Sequence, residues 1–300
     1  MLAKTGGRYR VLSSGVTLEA TLRGRLKRGQ AQVLVGDRVT LRSHTDAAVT
    51  IEAVAERKSV LRRRTPGRRH GVRLVAANLD QVAVVGAARQ PDWAPQLMDR
   101  FIAVAAASDL PIAVVINKCD LLDDPVALGR AYELAGYEVL YTSVPAGMGL
   151  GELRDLLAGR SSLFTGPTGV GKSSLLNALQ PGLRLRTGVV SRRSHSGRHT
   201  TVAAEMYPFA HGGFVVDTPG LRDIGLWGLE RAEVEAAFRE FRPHVGHCKF
   251  DDCHHLHEPG CAVRAATERG EIVASRLDSY RRMLQEAHAA ARPWHTERDR

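Results

Sequence analysis

One octapeptide constrains this chain more than any other. Residues 166–173 read Gly-Pro-Thr-Gly-Val-Gly-Lys-Ser, a full match to G-x-x-x-x-G-K-[ST]. Such a loop works only between a strand, which aims it, and a helix, whose N-terminus adds its positive dipole end to the backbone N–H groups. Both flanks are present: Leu163-Phe164-Thr165 is a short strand pattern, and residues 174–179 have helical spacing. The unit predicts an α/β sheet with a phosphate site at one strand end. Gly166, Gly169 and Gly171 let the backbone close around phosphate oxygens. Thr168 and Val170 fill variable positions, and Pro167 withholds one amide donor. Lys172 is expected to reach the β- and γ-phosphates, and Ser173 to ligate Mg²⁺.

Four further segments extend the reading. Asn117-Lys118-Cys119-Asp120 ends an apolar run at 112–116 and matches N-K-x-D. A carboxylate at Asp120 can accept from both N1–H and the exocyclic N2 amine of guanine, and adenine offers no such pair of donors. Asn117 is expected to tether neighbouring loops, and the stem of Lys118 to cover the base plane. Cys119 occupies the variable position and is expected to be inert. Tyr141-Thr142-Ser143-Val144 is similar to a short guanine-O6 segment, with Ser143 the candidate contact and Val144 where Ala is usual. Asp217-Thr218-Pro219-Gly220 follows a strand pattern at 213–216 and matches D-x-x-G, which makes Asp217 a Mg²⁺-linked carboxylate and Gly220 a γ-phosphate sensor. Between loop and D-x-x-G lies Gly197-Arg198-His199-Thr200-Thr201, a candidate switch in which either Thr200 or Thr201 would ligate Mg²⁺. Leu221 follows Gly220, and a leucine cannot hydrogen-bond an attacking water. Slow intrinsic hydrolysis is expected, raised when a partner completes the site. His199 is the in-chain candidate for that task.

The order of these motifs is unusual. GTPases of the common order run phosphate loop, switch threonine, D-x-x-G, N-K-x-D. Here N-K-x-D and the Ser143 segment come first. A circular permutation explains this, because joining nearby ends preserves every strand neighbour. The D-x-x-G segment is then last, so the C-terminal region is attached directly to the second switch. Its movement would reposition that region.

With 300 residues, about two domains are expected. Apolar strands alternate with helical patterns from about residue 74 to 224, which predicts a parallel sheet covered on both faces. Residues 1–63 read instead as about five short strands with turns, which fits a small barrel such as an OB-fold, an SH3-like barrel or a small sandwich. Residues 64–73 are basic and turn-rich and read as a linker. Residues 227–300 read as mainly helical, with helical spacing over 229–241 and 272–291. Residues 1–73 hold 17 Lys/Arg against 5 Asp/Glu, while the rest holds 25 against 27. Basicity so concentrated points to a polyanion such as RNA. Arg276, Arg281 and Arg282 on the last helix are candidates for added contacts. No apolar run approaches the ~20 residues of a membrane span, and no apolar leader pattern opens the chain, so a cytoplasmic protein is expected.

Cys248-x4-Cys253-x-His255-x5-Cys261 offers three thiolates and an imidazole. Four protein ligands leave no open position, so one structural Zn²⁺ is expected rather than a catalytic one, with an iron–sulfur site or a free-thiol cluster as the alternative. His247, His254 and His257 are read as solvent-exposed surplus.

The permuted order, the run Gly-Val-Gly-Lys-Ser-Ser-Leu-Leu-Asn-Ala-Leu, the Gly-Arg-His-Thr-Thr switch and the Cys/His spacing together resemble the bacterial ribosome small subunit-dependent GTPase A family. The resemblance covers essentially the whole chain. It implies an N-terminal OB-fold, a permuted GTPase domain and a C-terminal zinc domain. It assigns Asn117, Lys118 and Asp120 to guanine, Gly166 through Ser174 to phosphates and Mg²⁺, and Cys248, Cys253, His255 and Cys261 to zinc. It also implies a monomeric, cytoplasmic GTPase that binds the 30S ribosomal subunit and its rRNA late in subunit maturation, is stimulated by that subunit and leaves on hydrolysis. Two other readings stay open: a GTPase acting on another RNA, and an RNA-binding module with GTP as a static cofactor.

Overall fold

The computed structural model describes residues 1–24, 32–44, 48–64, 72–183, 204–217 and 229–291. The N-terminal part contributes β1 (Ala3–Thr5), β2 (Arg8–Ser13), β3 (Val16–Leu22), β4 (Val39–Ser43) and β5 (Val49–Val54). A hairpin follows, β6 (Val60–Arg64) and β7 (Val72–Ala77). Arg64, Val72 and Arg73 are therefore strand residues where the sequence suggested linker. Pairing of β6 with β7 carries the ladder out to Arg64 opposite Val72, and Leu61 and Ala76 of the same hairpin are buried.

The α/β part runs β8 (Gln81–Ala87), α1 (Pro95–Ala106), β9 (Ile112–Asn117), α2 (Val126–Leu134), β10 (Glu138–Tyr141), α3 (Leu150–Leu157), β11 (Arg160–Thr165), α4 (Lys172–Leu179), β12 (Glu205–Pro208) and β13 (Gly213–Asp217). Strands β8 to β11 and β13 pair in parallel in the order β10-β9-β8-β11-β13. The sequence pattern explains the two covered faces. Along β8, Val82 and Val84 join Met98, Phe101 and Ile102 of α1, whereas Ala83 and Val85 join Leu153 and Leu157 of α3 and Leu175 of α4. Side chains alternate along a strand, so a strand buried on both faces is apolar nearly throughout, and the one polar residue here, Gln81, donates to the Leu156 carbonyl and Ser162. All seven residues of β8 are buried.

Strand β12 closes this sheet antiparallel to β13, and its other edge pairs with β1, Ala3 opposite Glu205. The sheet thus runs on without a break into β1-β2-β3-β5-β4. Strands β3 and β5 are parallel and the other N-terminal pairs antiparallel. Beneath them, the buried Asp37 carboxylate accepts from Arg57 Nε at 2.7 Å, Arg57 Nη2 at 2.9 Å and the Leu34 amide at 2.7 Å.

The C-terminal part holds α5 (Arg231–Glu235), α6 (Ala262–Glu268) and α7 (Ala274–Ala291). The continuous helix expected over 229–241 is instead the short α5 and a 3₁₀ turn at Arg239–Phe241. The Ala237 carbonyl accepts from Tyr137 Oη at 2.8 Å and Arg276 Nη2 at 2.7 Å, so it is withdrawn from helical bonding. Pro243 follows and has no N–H to give.

Asp37→Ala strands the Leu34 amide and leaves Arg57 only its bond to the Gln32 carbonyl. It is expected to cost about 2–4 kcal/mol of unfolding free energy, read from urea denaturation.

A candidate nucleotide pocket and a candidate metal centre

The phosphate loop leaves β11 and enters α4, and backbone approach explains its glycines. Gly166 has φ +140°, and a Cβ there would lie 2.0 Å from the Val85 carbonyl oxygen of the neighbouring strand. Gly171 has φ +95°, and a Cβ there would lie 2.4 Å from Asn117 Nδ2. Lys172 Nζ donates to the Gly166 and Pro167 carbonyls at 2.7 and 2.6 Å, so its ammonium lies over the loop. Ser173 and Ser174 occupy the first turn of α4.

Parallel pairing of β9 and β11 on either side of β8 brings N-K-x-D to this loop. Asn117 Nδ2 donates to the Val170 carbonyl at 2.9 Å, and Lys118 Nζ to the Gly169 carbonyl at 2.8 Å. Lys118 Nζ also donates to the Gln90 carbonyl in the β8–α1 connection. Lys118 itself adopts φ +61°, a left-handed backbone uncommon for a long side chain. Its departure from β9 is fixed by Thr142, whose carbonyl accepts from the Cys119 amide at 3.1 Å. At the other end of the pocket Ser143 Oγ donates to Asp120 Oδ1 at 2.5 Å. One Asp120 oxygen is thereby oriented. The Cys119 thiol is buried and donates to the Ile116 carbonyl at 3.1 Å.

Thr142 was not a sequence candidate, yet its fully buried hydroxyl lies 3.1 Å from Asn117 Oδ1. With the Asn117 oxygen held there, its amide nitrogen must face the phosphate loop. Only the adjacency of Thr142 to Ser143 hinted at this role. Asp217 ends β13, beside Phe164 of β11. His199, Thr200, Thr201 and Gly220 lie outside the described residues.

The second site is a Cys₃His cluster. Cys248, Cys253, His255 and Cys261 bring their donor atoms within 4.8 Å of one another. His255 Nδ1 lies 3.6, 3.5 and 3.4 Å from the Sγ atoms of Cys248, Cys253 and Cys261, and two of the sulfurs are 4.0 Å apart. Edges near 3.5–4 Å are those of a tetrahedron with ~2.3 Å metal–sulfur and ~2.0 Å metal–nitrogen bonds. Burial pushes the Cys253 thiol up to about 12, so a thiolate there requires a cation beside it. Burial also lowers the His255 pKa, which favours the neutral, ligating imidazole. The donor set therefore fits Zn²⁺.

Glu258, which sequence reading missed, organises this loop. Its carboxylate accepts from the amides of His254, Leu256 and His257 at 2.9–3.0 Å. Burial alone would raise its pKa, but these amides hold it at about 2. His254 also lies 3.8 Å from Glu258. Arg231, next to the N-cap of α5, donates to the carbonyls of Asp252 and Cys253.

The expected polyanion surface is partly neutralised from within. Arg8 pairs with Glu19 and Arg10 with Glu205, both at 3.1 Å, Arg23 with Glu52, and Arg57 with Asp37 at 2.7 Å. Arg38, Arg42 and Lys58 are exposed. Of the α7 candidates, Arg276 is fully buried and cannot meet RNA, Arg281 lies 3.8 Å from Asp278, and Arg282 donates to Gln96.

Fold and pocket define a class, a P-loop α/β protein whose guanine-type motif precedes its phosphate loop. Comparison with known proteins narrows this. A family profile described as RsgA GTPase matches residues 54–227. A Gemmatimonas aurantiaca protein named small ribosomal subunit biogenesis GTPase RsgA is 49% identical over 94% of both chains. Among solved structures, YjeQ from Thermotoga maritima aligns with TM-score 0.78 and 34% identity, covering 97% of this chain and 98% of its own. YloQ, described as a circularly permuted GTPase, aligns at 0.73 and 28%, covering 98% and 95%. This chain belongs to the RsgA GTPase family and is a GTP hydrolase. Among the described residues no helix is long and apolar enough to cross a membrane.

Gly171→Ala, which drives a methyl into the Asn117 amide at a strained φ, is expected to raise the Kd for GDP at least about tenfold and to lower the melting temperature, checked by titration calorimetry and thermal melting. Glu258→Ala is expected to speed zinc loss to a chelator severalfold, followed with a colorimetric indicator.

Proposed function

We propose that this chain is an assembly factor for the small ribosomal subunit, binding it in the GTP state and leaving on hydrolysis. The observation that carries the reading is the meeting of two stretches far apart in sequence. Asn117 and Lys118 donate to the phosphate-loop carbonyls of Val170 and Gly169, so one ligand can span base and phosphate sites. The naming of a whole-length relative as a small-subunit biogenesis GTPase supplies the partner.

In this reading Asp120 binds guanine N1 and N2, with Ser143 orienting it, and Lys118 covers the base. Gly166, Pro167, Thr168, Gly169, Val170 and Gly171 surround the phosphates, and Ser174 extends that contact into α4. Lys172 neutralises the β- and γ-phosphates. Ser173, Asp217 and one of Thr200 and Thr201 hold Mg²⁺, Gly220 senses the γ-phosphate, and His199 is the in-chain candidate for orienting water. The ion supplies charge neutralisation between phosphates. Zn²⁺ held by Cys248, Cys253, His255 and Cys261 supplies folding energy to a loop with little core of its own.

The domain reading divides the chain at 1–63, an OB-fold that binds RNA, 64–73, 74–226, the permuted GTPase domain, and 227–300, the zinc domain. The order β1-β2-β3-β5-β4 with a parallel β3–β5 pair supports the OB-fold. Exposed Arg38, Arg42 and Lys58 supply its phosphate contacts. The protein acts as a cytoplasmic monomer on the subunit's rRNA.

Hydrolysis of GTP is expected to rise at least about 10²-fold with purified 30S subunits and not with 50S subunits or bulk RNA. Equal stimulation by bulk RNA would move the target to another RNA, and a Lys172→Ala protein that still matures subunits would leave GTP a static cofactor. Asp120→Asn replaces a double acceptor by an acceptor–donor pair, which suits xanthine. Preference is expected to shift from GTP to XTP by roughly 10²–10⁴-fold, read from competition binding.

A further inference from the structure

Arg276 is the largest side chain fully buried in the described structure, and nothing in the pocket explains it. It lies on α7 with only 1% exposure. Its Nη1 donates to Asp99 Oδ1 on α1. Its Nε and Nη2 donate to the two Glu240 oxygens at 2.7 and 3.3 Å, and Nη2 also to the Ala237 carbonyl at 2.7 Å. The guanidinium lies 4.4, 5.2 and 6.0 Å from the rings of Phe238, Tyr132 and Tyr137. Burying three charges is costly, and packing alone would be served as well by apolar side chains of similar volume.

The partners show what the arrangement braces. Tyr132 and Tyr137 lie on the connection that runs from Asp120 through α2 to β10 and returns at Thr142 and Ser143. Asp99 is in the second turn of α1, whose preceding connection lies on the phosphate loop. There Gln90 accepts from Lys118 Nζ, and Pro91 Cδ would sit 3.6 Å from a Cβ at Gly169. One cation from the C-terminal region therefore bonds the helix that follows one of these connections and lies against two rings of the other. Tyr137 Oη on the Ala237 carbonyl, Arg282 on Gln96 and Arg100 on Glu286 continue the same seam.

We propose that Arg276 is a positioning residue for base recognition, by which the zinc-bearing C-terminal region holds the Asp120–Ser143 connection and the β8–α1 connection in register. The inference rests on the reading of Asp120 and Ser143 as the guanine end. Thermodynamic linkage then runs both ways: docking of α7 raises affinity for guanine nucleotide, and the nucleotide tightens the docking of α7.

The test uses the full-length, zinc-loaded protein. GDP and IDP differ only in the N2 amine that Asp120 would accept, so their Kd ratio reports the placement of that carboxylate. Arg276→Met is expected to lower GDP affinity about tenfold and IDP affinity less, shrinking the ratio at least about threefold. Arg276→Lys, which keeps a cation for Asp99, is expected to restore part of it. In the unaltered protein, saturating GDP is expected to slow amide exchange in residues 274–287, a readout that needs no variant to fold. A cooperatively melting Arg276→Met protein with an unchanged GDP/IDP ratio overturns the inference, as does exchange in α7 indifferent to GDP. Absence of GDP binding by the unaltered protein overturns the guanine reading itself, and this inference with it.

Discussion

The hydrogen bond from the Asn117 amide to the Val170 carbonyl turns two distant stretches into one pocket. It spans 53 residues and is buried, so water does not compete for either partner. Its direction is set from behind by Thr142, which holds the Asn117 oxygen. It also requires Gly171, since any side chain there would meet the amide nitrogen. The permuted motif order is harmless to this contact because β9, β8 and β11 are neighbours in the sheet whichever of them the chain visits first. What permutation changes is which segments hang from the sheet, and from which edge.

One consequence appears at β12. In an isolated α/β domain this strand would be an open edge with unpaired amides, a known liability. Here β1 covers it, with the Met206 amide on the Leu2 carbonyl at 2.8 Å and Arg10 on Glu205 at 3.1 Å. The N-terminal strands are thus joined by backbone bonds to the strand that follows the candidate switch. The change of sequence pattern near residue 63 is not marked by any break in the sheet.

What the sequence disclosed follows a physical rule. The phosphate loop, N-K-x-D and the cysteine–histidine set are local: a loop that wraps an anion or a cation needs its donors at fixed short spacings, and spacing is what a sequence displays. The strands of the α/β part were legible because double-sided burial demands unbroken apolar runs. Contacts between remote residues carry no such mark. Asp99 and Arg276 are 177 positions apart, and each reads as an ordinary surface charge on an amphipathic helix. Arg276 was accordingly a candidate for RNA, when its burial bars it from any partner outside the fold. Thr142 and Glu258 carry no mark in the sequence because their work is to orient a neighbour rather than to meet a ligand. The helix read over 229–241 failed for a related reason, since the Ala237 carbonyl that would continue it is claimed by Tyr137 and Arg276.

These remote contacts bear on how a nucleotide state can be communicated. A C-terminal region that swings as a body would have to pull the Arg276 guanidinium away from two buried carboxylates and leave all three charges in the interior, and breaking such a pair costs about 3–5 kcal/mol. That exceeds the free energy typically available from ligand-driven allostery, about 1–3 kcal/mol. Arg231, at the first turn of α5, donates directly to the Cys253 carbonyl of the metal loop. Arg231 thus ties α5 to the metal loop independently of Arg276. The magnitudes favour a C-terminal region that stays docked over one that swings as a body.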